Sequence, residues 1–264
     1  MSTKKPAPST RKKGATKAPV PGARRKVKVT DVTLESLGIL TMVYEGTSPL
    51  IVKRFGSKPM KAMLDGQTGA PKKKPGPRQP EQEMLDCLHV IGDTPKTLDD
   101  LEKTTFGFPA VAFKAAMIRA AQASGVAMTQ ARGMFYILTD DGELVEIKAG
   151  SPPEMDTRTA RNRGARGSVA DLRFRPIFHE WGGEIRLEYN ARAVSAKQLI
   201  NWFSWAGKFN GIAELRCGGR ESSNTFGAWR VVSAEYEEPD LDKLEDFAFP
   251  CAPKASPKTK GKAA

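Results

Sequence analysis

The spacing of polar and apolar residues changes several times along this chain, and each change marks an element. ILTMVYEG (39–46) is β-rich and closed by Gly-Thr-Ser-Pro, which predicts a strand and a turn, and LIVKRF (50–55) is a second apolar run. SKPMKAMLDGQ (57–67) reads as a short helix with Ser57 as N-cap and Pro59 in its first turn. The clearest helix lies in FPAVAFKAAMIRAAQASG (108–125). Pro109 opens it, Phe113, Met117 and Ala121 recur every four residues, Ile118 widens the stripe and Gly125 closes it. GMFYILTDDGELVEI (133–147) predicts a hairpin, two β-rich runs joined through Asp-Asp-Gly.

In the second half, SVADLRFRPIF (168–178) carries Val169, Leu172, Phe174 and Ile177. GEIRLEYN (183–190) alternates Ile185, Leu187 and Tyr189 with Arg186 and Glu188, so one face is buried and one wet. Trp181-Gly182-Gly183 supplies the expected turn between the two. A helix follows over SAKQLINWFSWAG (195–207). Ser195 and Gln198 form a capping box, Leu199, Trp202, Phe203 and Ala206 form the core stripe, and Gly207 is the expected stop. A short strand, a glycine-rich loop at Cys217–Gly219 and a last strand from about Phe226 to Tyr236 complete the pattern. Strand, strand, helix, strand fits half of a ferredoxin-like sandwich, and the first half has room for a related unit. The predicted class is α+β, with one or two ferredoxin-like (RNA-recognition-motif-like) units built on antiparallel sheet.

Charge is distributed unevenly. The chain has 264 residues and a formal net charge of +12. Residues 1–28 hold ten Lys and Arg and no acid, and residues 251–264 hold four lysines and no acid. Removing these fourteen from 42 leaves 28 bases against all 30 acids, so residues 29–250 sum to −2. The basicity belongs to the ends. Both ends, 1–26 and 251–264, are low-complexity and are expected to be disordered, because they cannot bury enough apolar area to offset ordering. Between them lies a body over 27–250, with halves considered at 27–150 and 151–250 and a Pro/Gly-rich mobile loop at 68–82. Cys87, Cys217 and Cys251 form no C-x-x-C pair, which signals neither a disulfide framework nor a zinc site. His89 and His179 have no metal-ligand spacing, and no cofactor motif is present. No membrane-spanning run or secretory h-region is evident, so a cytoplasmic setting is expected.

Two stretches carry candidate chemistry. RTARNRGARGSVADLRFRPIF (158–178) holds Arg158, Arg161, Arg163, Arg166, Arg173 and Arg175 with Asp171 as its only acid. Arg158 to Arg166 are expected in a glycine-rich loop where guanidinium groups reach phosphates. Arg173 and Arg175 share a strand face, which Arg186 of the neighbouring strand has the phase to join; the face is either an Arg-lined nucleic-acid grip or an ordinary wet face, with Glu184 and Glu188 close by. The loop RCGGRESSNTFGAWRV (216–231) is neither a P-loop nor a dinucleotide fingerprint. It is either a plain hairpin loop or a site in which Arg216, Arg220 and Arg230 contact phosphates and Phe226 stacks on a base. On the tails, Arg11, Lys12, Lys13, Arg24 and Arg25 would bind polyanions by counterion release.

The segments EGTSPLIVKRFGSKPMKAMLDGQ, FGFPAVAFKAAMIRAA, RGSVADLRFRPIFHEWGGEIRLEYN and AELRCGGRESSNTFGAWRV together resemble a family of uncharacterised phage and prophage proteins. FPAVAFKAAMIRAA and the late glycine-rich loop are more distantly similar to the repeat-associated RNA-binding superfamily that forms the backbone of CRISPR effector complexes. That resemblance implies a ferredoxin-like fold binding single-stranded nucleic acid along a basic groove, with Lys114, Arg119, Arg220 and Arg230 near it. The glycine loop departs from the richer glycine pattern of that superfamily through its polar RESSN, and no endonuclease histidine can be placed.

The expectation is therefore a non-catalytic nucleic-acid-binding protein of phage type, with single strands favoured and DNA or RNA left open. The competing class is a structural or assembly protein, self-associating, whose tails contact DNA nonspecifically. A nuclease would need clustered carboxylates at the mouth of the groove.

Overall fold

Alternation is realised most directly in β1 (Leu37–Gly46), where Leu40, Met42 and Tyr44 are buried while Ile39 and Val43 face outward. The computed structural model describes residues 37–69, 76–140, 142–164, 167–219 and 224–237. The expectations made for both tails and for residues 70–75 of the 68–82 loop lie outside the described residues. The fold is α+β, and the described residues form two antiparallel sheets and five α-helices.

β1 lies inside the larger sheet, between β10 (Trp229–Glu237) and β9 (Trp181–Asn190), with Met42 opposite both Ala234 and Ile185. The far edge of β9 takes two strands. β5 (Phe135–Leu138) pairs with its C-terminal half and β6 (Leu144–Ala149) with its start, at Gly182 and Trp181. Beyond β6 lie β4 (Thr105–Pro109) and the two-residue β3 (Val90–Ile91). The smaller sheet holds β2 (Leu50–Ile51), β8 (Gly167–Phe178) and β7 (Glu154–Gly164). Strands from both sides of residue 150 thus share one sheet.

Two long helices cover the inner face of the larger sheet. α3 (Ala110–Ala123) contributes Phe113, Met117 and Ala121, and α5 (Ala196–Trp205) contributes Leu199, Trp202 and Phe203. Their rings close on Tyr44 and Trp229: Tyr44 to Phe113 is 5.5 Å and Phe203 to Trp229 is 5.2 Å between centroids. Such tilted contacts add to the area term that dominates the core. Asn210 Nδ2 donates to the Ala116 carbonyl (2.8 Å) and Trp202 Nε1 to Ser124 Oγ (2.9 Å), tying the segment after α5, and α5 itself, to α3. The shorter helices are α1 (Ser57–Gln67), α2 (Pro80–Asp86) and α4 (Met128–Met134). Among the described residues no helix is long and apolar enough to cross a membrane.

Several expectations are corrected. Residues 80–82, placed in a mobile loop, open α2, with Pro80 at its first position. α1 starts at Ser57 itself, with Gly56 in the cap position. β5 and β6 are not paired with each other among the described residues, because β9 takes both along one edge. Trp181-Gly182-Gly183 is strand rather than turn. A Cβ on Gly182 would sit 2.6 Å from the Tyr44 carbonyl oxygen and one on Gly183 2.6 Å from that of Glu146, so these glycines let β1 and β6 close on β9. Gly207 does not stop the helix, which runs on as a π turn over Ala206–Asn210 and ends at Gly211 with φ +60°. A side chain on Gly207 would overlap the Trp229 carbonyl oxygen.

Candidate nucleic-acid interface

The arginine-rich stretch is a strand pair. β7 and β8 are in continuous register from Glu154 opposite Ile177 to Gly164 opposite Gly167, so Arg158, Arg161 and Arg163 lie on β7. This corrects the loop expected for residues 158–164, while 165 and 166 lie outside the described residues. Arg158 is directly across from Arg173, and Asp156 directly across from Arg175. Arg161 and Arg163 stand opposite Ala170 and Ser168 further along the hairpin. Arg166 lies outside the described residues, as do Arg220, Arg11, Lys12, Lys13, Arg24 and Arg25.

A buried ion network anchors the root of this hairpin. The Arg175 guanidinium is 5 % exposed, lies 3.2 Å from Asp156 Oδ2 and pairs with Glu214. Lys53 Nζ lies 3.6 Å from the other Glu214 oxygen, and Arg158 Nε donates to Asp156 Oδ1 at 2.7 Å. Charges at this depth persist only when paired. Arg175 is accordingly a correction to the expected phosphate contacts, because two carboxylates occupy it.

Glu214 belongs to the segment that connects α5 to β10, and its amide donates to the Ile51 carbonyl (3.1 Å), joining that segment to β2. The segment folds back tightly. Ala213 and Leu215 hold φ of +66° and +55°, left-handed conformations that side chains disfavour and that cluster at functional segments. Gly227, at φ +65°, donates to the Pro49 carbonyl. Arg216 forms a bridge with Phe226, and the Arg158 guanidinium stacks 4.6 Å from the Phe226 ring centroid. The glycine-rich segment and the hairpin root thus meet at Phe226.

Arg119 completes the arrangement from α3. It is exposed, and its charge acts on Arg216, whose pKa is held below the ordinary guanidinium value first by burial and then by Arg119. Among the described residues neither Arg119 nor Arg216 has a carboxylate within ion-pair distance. A row of neighbours results: Arg119, Arg216, Phe226, Arg158 and Arg173. Like charges lie near one another at two places in it: Arg119 acts electrostatically on Arg216, and Arg158 is directly across the β7–β8 ladder from Arg173. At its Arg173 end the row reaches a cleft of about 440 Å³ lined by both signs of charge, Lys53, Arg54 and Arg78 with Glu83, Asp86 and Asp171, in which Arg78 pairs with Glu83 and Asp171.

Other predicted residues are placed elsewhere. Lys114 sits over the rings of Phe135 and Tyr136, at 5.6 and 5.7 Å, away from the row. Arg230 is ion-paired with Glu45 across the β1–β10 ladder. Arg186 does not share a face with Arg173 and Arg175, because β8 belongs to the smaller sheet and β9 to the larger one. Its neighbours on the outward face of β9 are Glu184 and Glu188. Asp156, Glu214 and Lys53, which organise the root, were not singled out from sequence. Asp156 shares a strand face with Arg158, a usable signal, whereas Glu214 lies 39 residues from Arg175 and is joined to it only by folding. Cys87 and Cys217 are free thiols.

No protein-family model matches the chain, and no curated protein is significantly similar to it.

Proposed function

We propose that this is a non-catalytic nucleic-acid-binding protein of the phage type suggested by its sequence resemblance, holding a single strand along the arginine row. The observation that carries the reading is the meeting of Arg158, 4.6 Å over the Phe226 ring, with the bridged Arg216, which has no carboxylate partner among the described residues and feels the charge of Arg119. Adjacent cations raise the energy of the unliganded protein, and a phosphate backbone relieves that repulsion while releasing counterions. Phe226 adds an aromatic surface in the middle of the row. The fold reading that accompanies this is a single ferredoxin-like unit. It takes the path β1–α3–β5–β9–α5–β10 with sheet order β10-β1-β9-β5, every neighbour antiparallel, and the remaining strands as insertions. Of the carboxylates near the row, Asp156 and Glu214 are paired with arginine and lysine and Glu83 and Asp171 with Arg78, which argues against nuclease chemistry there.

Fluorescence anisotropy of labelled 20-nucleotide single and double strands over a series of salt concentrations tests this with the full chain. Arg119→Ala/Arg216→Ala is expected to weaken single-strand binding and lower the slope of log K against log salt by about 1.4, roughly 0.7 for each phosphate contact. Deleting residues 1–28 should lower the slope further. No binding by the wild type, or a slope untouched by the double substitution, overturns the reading. The second reading, a self-assembling structural protein, is favoured by β10, whose outer edge has no partner among the described residues and which exposes Val232 and Tyr236. A concentration-dependent mass in light scattering without strand binding would select it.

A further inference from the structure

Lys114 leaves the arginine row for a cavity of about 500 Å³ at the start of α3, within the range of small-molecule sites. Its walls are largely apolar: Val111 and Pro109 on one side, and the ring of Tyr136, more than half exposed, on another. Arg54, His89 and Lys114 supply the basic and polar groups, with Glu143 also at the lining. The Lys114 ammonium is held above the Tyr136 ring, so cation and aromatic surface face the same space. Arg54 also lines the cleft at the Arg173 end of the row, which makes the cavity the next stop for a strand following these arginines.

We propose that this cavity takes one everted nucleobase of the bound strand, stacked on Tyr136, with the adjoining phosphate held by Lys114 and Arg54. The proposal rests on the nucleic-acid reading above and narrows it to strands with unpaired bases. An apolar cleft that exposes a tyrosine face matches the flat surface of a base, which every nucleotide offers regardless of sequence. Cations at the mouth match the phosphate that must remain outside. His89 adds no charge there, since burial and then the charge of Arg54 lower its pKa to about 4, so the cations of the site are Lys114 and Arg54. A base held in a duplex cannot reach such a site without the cost of unpairing and unstacking.

The test uses the full chain with labelled dT20, an abasic 20-mer and a 20-base-pair duplex. Tyr136→Ala is expected to weaken dT20 binding about tenfold, Tyr136→Phe to retain it, and neither to change duplex binding. Lys114→Ala should weaken dT20 binding severalfold and lower the salt slope by about 0.7. The wild type should bind the abasic strand at least as weakly as Tyr136→Ala binds dT20, because it offers no base to Tyr136 or to Phe226. Unchanged dT20 affinity in Tyr136→Ala overturns the pocket, and if Arg119→Ala/Arg216→Ala still loses binding, the row reading survives alone. Binding of free 5′-AMP that depends on Tyr136, without any effect on dT20, also overturns the strand proposal in favour of a mononucleotide site. Tyr136 is exposed, so thermal melts of its variants should match the wild type.

Discussion

Two arginines of one hairpin should behave oppositely when each is replaced by methionine, which is similar in length and uncharged. Arg175 is buried between Asp156 and Glu214, and its loss leaves Asp156, itself 9 % exposed, with Arg158 as its remaining cation. Stranding a buried ion typically costs 3–5 kcal/mol; the surviving 2.7 Å bond from Arg158 places Arg175→Met near the lower end, at about 3 kcal/mol. A protein of this size loses roughly 2–4 °C per kcal/mol, so its melting temperature should fall by roughly 6–12 °C. Arg158 is 40 % exposed, and a surface pair of this kind contributes about 0–1 kcal/mol, so Arg158→Met should melt within about 4 °C of the wild type.

Binding should reverse the ranking. Measured well below both transitions, Arg158→Met should lower the single-strand salt slope by about 0.7, and Arg175→Met should keep it. Circular dichroism melts combined with anisotropy titrations read both quantities from the same preparations. The division into structural and ligand-facing arginines is refuted if the two variants melt alike, or if Arg158→Met leaves the slope where it was.

Three further perturbations probe the frame. His89 has a folded pKa of about 4 against an ordinary 6.5, so the unfolded chain binds its proton first; the stabilisation is complete above about pH 6.5 and is lost as pH falls towards 4. Allowing for partial exposure, urea titrations should show the wild type losing roughly 1–2 kcal/mol more than His89→Gln across that window. Gly207→Ala forces a Cβ onto the Trp229 carbonyl and should cost about 1–3 kcal/mol in a urea titration, and an unchanged midpoint would contradict the packing of the π turn on β10. Ser195→Ala removes the 3.3 Å cap to the Gln198 amide and should lower stability by about 0.5–1 kcal/mol, read from the same titration.

What was legible in the sequence was local. The stripe Phe113, Met117, Ala121 gave α3, the Ser195–Gln198 box gave the start of α5, and the β-rich run 39–46 before Gly-Thr-Ser-Pro gave β1. What was not legible depended on partners. Residues 158–164 have the Arg, Asn and Gly content of a loop, yet they form a strand because β8 offers a complete ladder beside them. The Gly142 amide donates to the Thr139 carbonyl where a hairpin turn is expected, with Asp141 outside the described residues, but β5 and β6 separate because Gly182 and Gly183 let β9 recruit both. The candidate site followed the same division. Its arginines were visible as a composition, whereas the sorting of Arg175 into structure and Arg158 into the row depended on Glu214, which no local pattern connects to either.

Charge placement also decides between two surfaces for a strand. The outward face of β9 carries Glu184 and Glu188, with Glu235 opposite Thr41 on β1, and there Arg186 is flanked by acids and Arg230 is paired with Glu45. A phosphate backbone laid across that face would meet carboxylates at nearly every register step, each contact repulsive and poorly screened at short range. Along the junction of the hairpin root with the glycine-rich segment, the acids are already neutralised from beneath, Asp156 by Arg175 and Glu214 by Arg175 and Lys53. Removing acids from the surface in this way does as much for a polyanion as adding arginines would. On the proposed reading, this pairing is what leaves the seam between the two sheets, rather than the broad face of the larger one, open to a strand.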